Sequence, residues 1–309
     1  MKIAIMGTGG VGGYYGGLLA KIGHDVTFIA RGAHLHAIRE KGLKIKSVHG
    51  NFLILYAKTT DQPVDVGPVD LIIVATKTYH IDEAARAIKT MVGKDTVVIP
   101  LLNGIDAAER IGAVVGMEHM MGAATWLSAS IEEPGVIGQY SQFHRIVLGE
   151  FNNEITQRLR SVYDVLYGTD VTVEMTDNIQ KVLWTKFVFI ASVMAIGSLT
   201  RVTFGEYRDI PEARAILTAA MGEVVSVAQA VGVALDEDII SKTLAFIDSG
   251  SPDIKPSMQR DIETGRPTEL ESIVGIIVRL GEKYGIPTPV MGICYGMLKP
   301  ADVKANKQG

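Results

Sequence analysis

The first half of the chain alternates short apolar runs with segments of helical periodicity. Four continuous apolar runs predict strands at Lys2–Met6, Asp25–Ala30, Leu71–Thr76 and Thr96–Leu102. Apolar runs without alternation are typical of strands covered on both faces, as in a parallel sheet. A helix is predicted between the first two strands, over Val11–Ile22. Strands that alternate with helices indicate an α/β fold, a Rossmann-type doubly wound parallel sheet. Weaker patterns predict added strands within Leu43–Ala57 and Val136–Leu148.

The pattern changes near residue 176, where long helical segments replace the strands. Helices are predicted over residues 178–200, 211–232, 236–248, 268–284 and 288–298. Pro211 stands where a helix can begin, since its missing N–H costs nothing in the first turn. We therefore predict two domains, a dinucleotide-binding Rossmann domain over residues 1–176 and an all-helical substrate domain over residues 177–309. The last residues, Lys304–Gly309, are predicted to be a frayed tail.

Composition narrows the class of protein. The chain has 309 residues and a net charge of −4, with a pI of about 6.0, so it lacks the basic footprint of a nucleic-acid-binding protein. Mean hydropathy is +0.23, but the longest uncharged apolar stretch, Phe187–Leu199, is shorter than the roughly 18 residues that a spanning helix needs. We therefore expect a core helix there, no membrane partner and a cytoplasmic protein.

Cysteine and histidine usage offers little chemistry. The single cysteine, Cys294, excludes an intramolecular disulfide and is expected to be a small buried hydrophobe. The seven histidines are scattered, and His34 and His36 are too close in sequence to share one helical face. We expect no metal site. The apolar helices of the second half either form one core or pair between chains, so a homodimer remains open.

A glycine-rich motif lies directly between the first predicted strand and the first predicted helix. Its residues are Gly7, Thr8, Gly9, Gly10, Val11 and Gly12, which fit G-x-G-x-x-G. The first glycine permits a tight turn, the second lets backbone approach a pyrophosphate, and the third allows close helix–strand packing. A chance glycine-rich turn is the alternative, but the strand before and the helix after favour dinucleotide binding.

The second predicted strand is followed by Arg31. Enzymes that use NAD usually carry an acid here, which accepts a hydrogen bond from the ribose 2′-OH, whereas an arginine suits the 2′-phosphate of NADP. Arg31 is either that phosphate ligand or a solvated strand-end residue. We expect NADPH in preference to NADH.

Polar residues also follow the third and fourth predicted strands. Lys77 comes after Leu71–Thr76, and Asn103 comes after Thr96–Leu102. Ligands in open α/β sheets bind at the carboxyl ends of the strands, so contact with cofactor or substrate is predicted for both. The alternatives are a surface lysine and an Asn-Gly turn.

In the helical half, Lys186 leads into a very apolar helix. A desolvated lysine has a lowered pKa, which suits proton transfer to a carbonyl oxygen. A lysine whose ammonium group reaches water past its apolar neighbours is an equally good interpretation of the spacing alone.

Several of these residues occur together, in this order, in one family. The chain resembles ketopantoate reductase (2-dehydropantoate 2-reductase) over nearly its whole length, through Gly7–Gly12, Lys77, Asn103-Gly104, Leu183-Trp184-Thr185-Lys186, Ser257-Met258-Gln259-Arg260-Asp261 and Thr268-Glu269. The glycine motif is generic. The segments around Lys186, Ser257 and Glu269 are specific, including the 12-residue gap from Ser257 to Glu269.

The resemblance implies a reaction and a role for each residue. It implies NADPH-dependent reduction of ketopantoate to pantoate, with Lys186 as the general acid and Glu269 hydrogen-bonded to the substrate hydroxyl. Ser257 would hold the substrate carboxylate, Asn103 would order cofactor and substrate, and Lys77 would contact the cofactor. Without the resemblance, Ser257 is a loop or N-cap residue and Glu269 a first-turn acid.

One departure from the family bears on the substrate. The family typically has an asparagine four residues after the lysine and often another four residues further on, where this chain has Ile190 and Met194. These positions share one helical face with Lys186, and Ser192 or Ser198 would compensate only if the helix were shifted. Three hypotheses follow: ketopantoate reduction, reduction of a more apolar 2-oxo acid, and a non-catalytic NADPH sensor.

Overall fold

The computed structural model describes residues 1–307 and divides into two compact units. Unit 1 comprises Met1–Leu102 and Asp106–Ile179. Unit 2 comprises the short segment Asn103–Ile105 and the chain from Gln180 onward. The sequence-based boundary at residue 176 thus falls near the end of unit 1, but Asn103 belongs to unit 2.

Unit 1 contains three sheets and five α-helices. The strands are β1 (Lys2–Met6), β2 (Asp25–Ile29), β3 (Leu43–Ser47), β4 (Phe52–Ile54), β5 (Lys58–Thr60), β6 (Val69–Val74), β7 (Val92–Pro100), β8 (Gly122–Trp126), β9 (Ala129–Glu133), β10 (Val136–Gln139), β11 (Arg145–Gly149) and β12 (Thr172–Met175). The helices are α1 (Gly10–Lys21), α2 (Gly32–Lys41), α3 (Ile81–Ile88), α4 (Ala107–Val115) and α5 (Gln157–Tyr167).

The main sheet has the order β5-β2-β1-β6-β7 and is parallel throughout. Its central strand shows why the apolar runs are continuous. Ile3 and Ile5 pack into the cluster on one face, while Ala4 and Met6 pack into the cluster on the other. Both faces are therefore covered, and the predicted doubly wound parallel sheet is confirmed.

The weaker strand predictions are also confirmed. β3 and β4 pair antiparallel within the predicted segment Leu43–Ala57, and β10 and β11 lie within Val136–Gly149. The second sheet has the order β4-β3-β10-β9, and the third has the order β12-β11-β8. The parallel pairing of β3 with β10 was not predicted, because it joins strands that are distant in sequence.

Unit 2 is helical. Its helices are α6 (Ile179–Thr200), α7 (Phe204–Arg208), α8 (Pro211–Ala230), α9 (Ile239–Ser249), α10 (Ser257–Glu263), α11 (Ile276–Tyr284) and α12 (Pro289–Asn306), and a π-helical turn (Glu271–Gly275) precedes α11. Proline opens α8, as predicted. α6 supplies much of the core, including Phe187, Val188, Ala191 and Ala195.

The helix predictions missed two helices and ended a third too early. α7 and α10 were missed, because five and seven residues are too short to show apolar periodicity. α12 extends to Asn306 instead of ending near residue 298, since Asp302 and Ala305 are buried and Pro300 is accommodated inside the helix. The predicted frayed tail is therefore helical over Lys304–Asn306, and its last two residues lie outside the described chain.

α6 is the one helix of the described chain that is long and apolar enough to cross a membrane. Of its most apolar 18-residue window, 61 % is buried. Core helices of globular proteins have the same composition, so α6 alone is weak evidence for a membrane. Its burial agrees with the prediction of a core helix.

Candidate active site

The glycine motif forms the turn from β1 into α1, and its backbone leaves no room for side chains at three positions. Gly7 has a φ of +99°, and a Cβ atom there would lie 2.9 Å from the carbonyl oxygen of Ala75. At Gly12 a Cβ atom would lie 2.2 Å from the carbonyl oxygen of Gly7, and at Gly10 it would lie 2.3 Å from that of Ala129. These contacts explain why glycine is required at the first and third glycines of the motif, as predicted, and also at Gly10, where the motif makes no such demand.

The position of Gly9 is different, because it faces open space. A Cβ atom on Gly9 would meet nothing within 4 Å, and Gly9 is the N-cap of α1 without a side-chain cap. The first amides of α1 are therefore presented by bare backbone, with the favourable end of the helix dipole behind them. Thr8 stabilises the turn through a hydrogen bond of 2.9 Å, which its hydroxyl donates to the carbonyl oxygen of Ile29. Val11 is half-buried in the first turn of α1. These residues fit a dinucleotide pyrophosphate.

Sequence reasoning missed a residue beside this loop, Thr76. Its methyl carbon would lie 2.9 Å from a Cβ atom on Gly7, and its hydroxyl is buried without a hydrogen-bond partner among the described residues. Buried hydroxyls are nearly always hydrogen-bonded, so this one is suited to a bound ligand. Its position just after β6, at the carboxyl end of a parallel strand, is the sequence feature that could have identified it.

Arg31 and Lys77 both follow strands of the parallel sheet, as predicted. Arg31 is the N-cap of α2 after β2, and its side chain is 61 % exposed. It forms an ion pair with Glu83 in the first turn of α3, with Nη2 2.5 Å from Oε1. Lys77 is half-buried and caps the short 3₁₀ helix (Thr78–His80) that leads into α3.

Three predicted substrate-site residues come together in unit 2. Lys186 lies in the second turn of α6, and its ammonium nitrogen lies 3.4 Å from Oδ1 of Asn103. Burial lowers the pKa of Lys186 to about 8, and the charge of Glu269 partly opposes that shift. The lysine therefore holds its proton less tightly than a surface lysine, as proton transfer at neutral pH requires.

Glu269 is held by backbone bonds and by its neighbour. It is 4 % exposed, and its carbonyl oxygen accepts hydrogen bonds from the amides of Ser272 and Ile273. The hydroxyl of Thr268 donates to Asp302 of α12 over 2.7 Å, which fixes the backbone before Glu269. Asp302 was missed because nothing in the sequence links it to this motif. The π-helical turn that follows is a rare form, often found near functional sites.

Ser257 is the first residue of α10 and is half-buried. α10 packs against α6 at Gly197, where a Cβ atom would lie 2.8 Å from Oε1 of Gln259 and 3.2 Å from Cγ of Pro256. Gln259 is fully buried and donates to the carbonyl oxygen of Val202 and to Glu263. The start of α10, and Ser257 with it, is thus fixed relative to the helix that carries Lys186.

The apolar positions after Lys186 have different surroundings. Ile190 is half-buried one turn after the lysine, whereas Met194 is 3 % exposed in the core of unit 2. Ser192 and Ser198 are fully buried, and neither hydroxyl has a hydrogen-bond partner among residues 1–307. Of the two positions at which the family typically has asparagine, Ile190 is therefore the one that keeps some exposure.

Other candidate chemistry is limited. Cys294 is 2 % exposed, and burial raises its pKa to about 11, which is typical of an inert thiol. Within the described part of the chain, no group of three or more His, Cys, Asp and Glu side chains is arranged to hold a metal ion.

Family models and known proteins match most of this chain. The family model described as ketopantoate reductase PanE/ApbA matches residues 3–153, and the model of its C-terminal part matches residues 178–302. The chain is 30 % identical to the uncharacterized oxidoreductase YkpB of Bacillus subtilis, covering 97 % of this chain and 98 % of that protein.

Solved structures extend the comparison. The 2-dehydropantoate 2-reductase of Geobacter metallireducens is similar, with a TM-score of 0.92, 30 % identity, and 97 % of this chain and 100 % of that chain covered. D-mandelate dehydrogenase in a ternary structure with NADH and anilino(oxo)acetate has a TM-score of 0.91 and 26 % identity, with 99 % of each chain covered. Relatives with this fold are thus named for more than one substrate, and one of them was solved with NADH bound.

Proposed function

Because the chain belongs to the ketopantoate reductase family, we propose that it is a 2-dehydropantoate 2-reductase, which reduces ketopantoate to pantoate with NADPH on the route to pantothenate and coenzyme A. The observation that carries this proposal is the pairing of Lys186 with Asn103, in the electrostatic field of the buried Glu269. We expect the enzyme to work in the cytoplasm.

A nicotinamide cofactor held by the glycine motif would supply the hydride that the keto carbon of the substrate requires. As the carbonyl bond opens, the ammonium group of Lys186 donates a proton to its oxygen, which becomes the hydroxyl of the product. The neutral amine then regains a proton from solvent. A pKa of about 8 makes both transfers possible near neutral pH, because donor and acceptor states are each accessible.

The neighbouring side chains orient the substrate. The Oδ1 atom of Asn103 accepts a hydrogen bond from Lys186 and so directs the ammonium group. Glu269, held by Thr268 and the helix that follows it, would accept a hydrogen bond from the substrate hydroxyl. Ser257 would donate to the substrate carboxylate. Each of these bonds contributes by holding the keto group in a reactive orientation.

The cofactor proposal depends on unit 1. The bare amides at the start of α1 suit the pyrophosphate, and Lys77 and Thr76 lie in the segment that follows β6. Arg31 supports NADPH over NADH, since the exposed guanidinium after β2 matches the 2′-phosphate.

A steady-state assay tests the proposal. Purified protein with NADPH should show ketopantoate-dependent loss of absorbance at the nicotinamide band, and Lys186→Ala should abolish most of it while NADPH still binds. Tight NADPH binding without any ketopantoate-dependent oxidation would refute the ketopantoate assignment.

A second candidate substrate is a more apolar 2-oxo acid. Ile190 places an aliphatic side chain one turn from Lys186, where the family typically has an asparagine. The similar D-mandelate dehydrogenase, which has anilino(oxo)acetate bound, shows that the fold can hold an aromatic oxo acid. Comparing kcat/KM for ketopantoate and phenylglyoxylate in wild type and Ile190→Asn decides between them. A wild type that prefers phenylglyoxylate, and a variant that shifts toward ketopantoate, would favour the apolar substrate.

A further inference from the structure

The ion pair between Arg31 and Glu83 joins two segments that follow strands of the parallel sheet. Arg31 comes from the end of β2, and Glu83 comes from the first turn of α3, after β6. Their side chains are 61 % and 48 % exposed, and Nη2 of the arginine lies 2.5 Å from Oε1 of the glutamate. An acid therefore contacts the arginine that favours NADPH, although strand β2 itself ends without one.

The surroundings of Glu83 keep it ionised. Its hydrogen bond to Arg31 and the charge of that arginine hold the pKa of the carboxyl below its usual range. Nδ1 of His80 lies 3.5 Å from Oε2, and Arg86 adds further positive charge. At neutral pH, Arg31 thus faces a carboxylate, which accepts from the same guanidinium N–H groups that would bind a ribose phosphate.

We propose that Glu83 determines cofactor discrimination by competing with the 2′-phosphate of NADPH for Arg31. This inference rests on the proposed use of NADPH through Arg31. A 2′-phosphate must displace the carboxylate from the guanidinium or share it at the cost of anion–anion repulsion. NADH meets no such competition, because a ribose 2′-OH can donate a hydrogen bond to a carboxylate. Glu83 therefore lowers the ratio of NADPH to NADH affinity that Arg31 would otherwise produce.

The exposure of the pair determines the size of the effect. Solvent-exposed ion pairs contribute little to stability, so a phosphate can displace the carboxylate without disturbing the fold. Loss of the charge of Glu83 should therefore strengthen NADPH binding about threefold to fivefold, the equilibrium change that corresponds to one exposed ion pair.

The chain offers a matched control for charge. Asp82 is the preceding residue in the same turn, and its side chain is 62 % exposed, but it pairs with Arg110, with Oδ1 2.9 Å from Nη2. Asp82→Asn removes the same charge as Glu83→Gln within the same turn, without removing a partner of Arg31. A general electrostatic effect would appear in both variants, whereas competition for Arg31 would appear only in Glu83→Gln.

The experiment measures dissociation constants by titration calorimetry for NADPH, NADH, 2′,5′-ADP and 5′-AMP. Wild type, Glu83→Gln, Glu83→Ala, Asp82→Asn, Arg31→Gln and the double variant that combines Glu83→Gln with Arg31→Gln are compared, and thermal unfolding checks that each is folded. Glu83→Gln should bind NADPH and 2′,5′-ADP about threefold to fivefold more tightly, with NADH and 5′-AMP unchanged or weaker. In the Arg31→Gln background, the substitution of Glu83 should have no effect.

The outcomes separate the two proposals. If Arg31→Gln leaves the ratio of NADPH to NADH affinity as in wild type, the use of Arg31 for NADPH is wrong and the inference about Glu83 falls with it. If Arg31→Gln loses the discrimination but Glu83→Gln and Glu83→Ala leave NADPH binding unchanged or weaken it, only the inference about Glu83 is overturned. Equal weakening of all four ligands by both Glu83 variants would mean that the pair only holds α2 and α3 in place.

Discussion

The ammonium nitrogen of Lys186 lies 3.4 Å from Oδ1 of Asn103, although 83 positions separate the two residues in the chain. Asn103 comes from a segment of three residues that belongs to unit 2, while the residues on either side of it belong to unit 1. The chain therefore brings its candidate proton donor and the amide that directs it into one unit from distant points in the sequence.

Replacement of Lys186 should reduce the rate and leave cofactor binding intact. Without a positioned acid, Lys186→Ala should lower kcat by roughly a hundredfold to ten-thousandfold. The dissociation constant of NADPH should stay within about twofold, because the glycine motif, Arg31 and Lys77, which are proposed to bind the cofactor, lie in unit 1 and Lys186 lies in unit 2. Steady-state kinetics and calorimetry check both parts. A parallel loss of NADPH affinity would point to a structural role instead.

The pH dependence of reduction should reflect the lowered pKa of Lys186. Only the protonated lysine can donate, so kcat/KM should fall about tenfold for each pH unit above roughly 8. Lys186→Arg provides the control, since a guanidinium stays protonated throughout this range. Persistence of the same alkaline limb in this variant would assign it to another group.

The lowered pKa of Lys186 also makes the free energy of unfolding rise with pH. The native pKa of about 8 lies below the ordinary 10.5, so between these values the unfolded chain binds more protons than the native one. The contribution of Lys186 to the free energy of unfolding is therefore fully present above pH 10.5 and is lost as the pH falls through about 8. Denaturant titrations at several pH values give the free energy of unfolding of wild type and of Lys186→Met. Between pH 8 and 10.5 this free energy should rise with pH more steeply in wild type than in the variant.

Removing the charge of Glu269 should move the alkaline limb to lower pH. The carboxylate of Glu269 raises the pKa of Lys186 against the effect of burial, so Glu269→Gln should lower it further. The position of the limb is independent of any overall loss of activity, and kcat/KM profiles measure it. Glu271→Gln is the control, because Glu271 pairs with Arg279 and Lys299 instead. A limb that stays in place in Glu269→Gln would contradict the proposed coupling.

Gly197→Ala should impair substrate binding through α10. The new methyl group would meet Gln259 at 2.8 Å and Pro256 at 3.2 Å, and the buried glutamine cannot easily move. Displacement of the start of α10 should raise the KM for the oxo acid roughly tenfold, with NADPH affinity unchanged. The overpacking should outweigh the helix propensity of alanine and cost about 1 kcal/mol of stability.

Gly222→Ala is the matched control for Gly197→Ala. Gly222 lies inside α8, and a Cβ atom there would meet nothing within 4 Å. This substitution should gain up to about 1 kcal/mol from helix propensity and leave KM unchanged. If both variants raised stability equally, the close contact between α6 and α10 would be of no consequence.

The sequence predicts the parts of this molecule that depend on local pattern. The apolar runs of the main sheet and the glycine turn follow from burial on both faces and from backbone geometry, which neighbouring residues determine. The role of Glu269 came from a family resemblance, whereas the apolar helix around Lys186 left a proton donor and a solvated lysine equally open. The proximity of the two residues depends on packing that periodicity does not encode. The support of Thr268 by Asp302 and the pairing of Arg31 with Glu83 are tertiary contacts that no local pattern indicates.

The assignment of Asn103–Ile105 to unit 2 also constrains how the chain can be divided into fragments. A cut between Ile179 and Gln180 would leave Asn103 on the first fragment and Lys186 on the second. The helical fragment alone would retain its lysine and Glu269 but lose the amide that directs the proton donor. If the two fragments were mixed, proton transfer would therefore return only when Asn103–Ile105 of the first fragment packed again with the helices of the second.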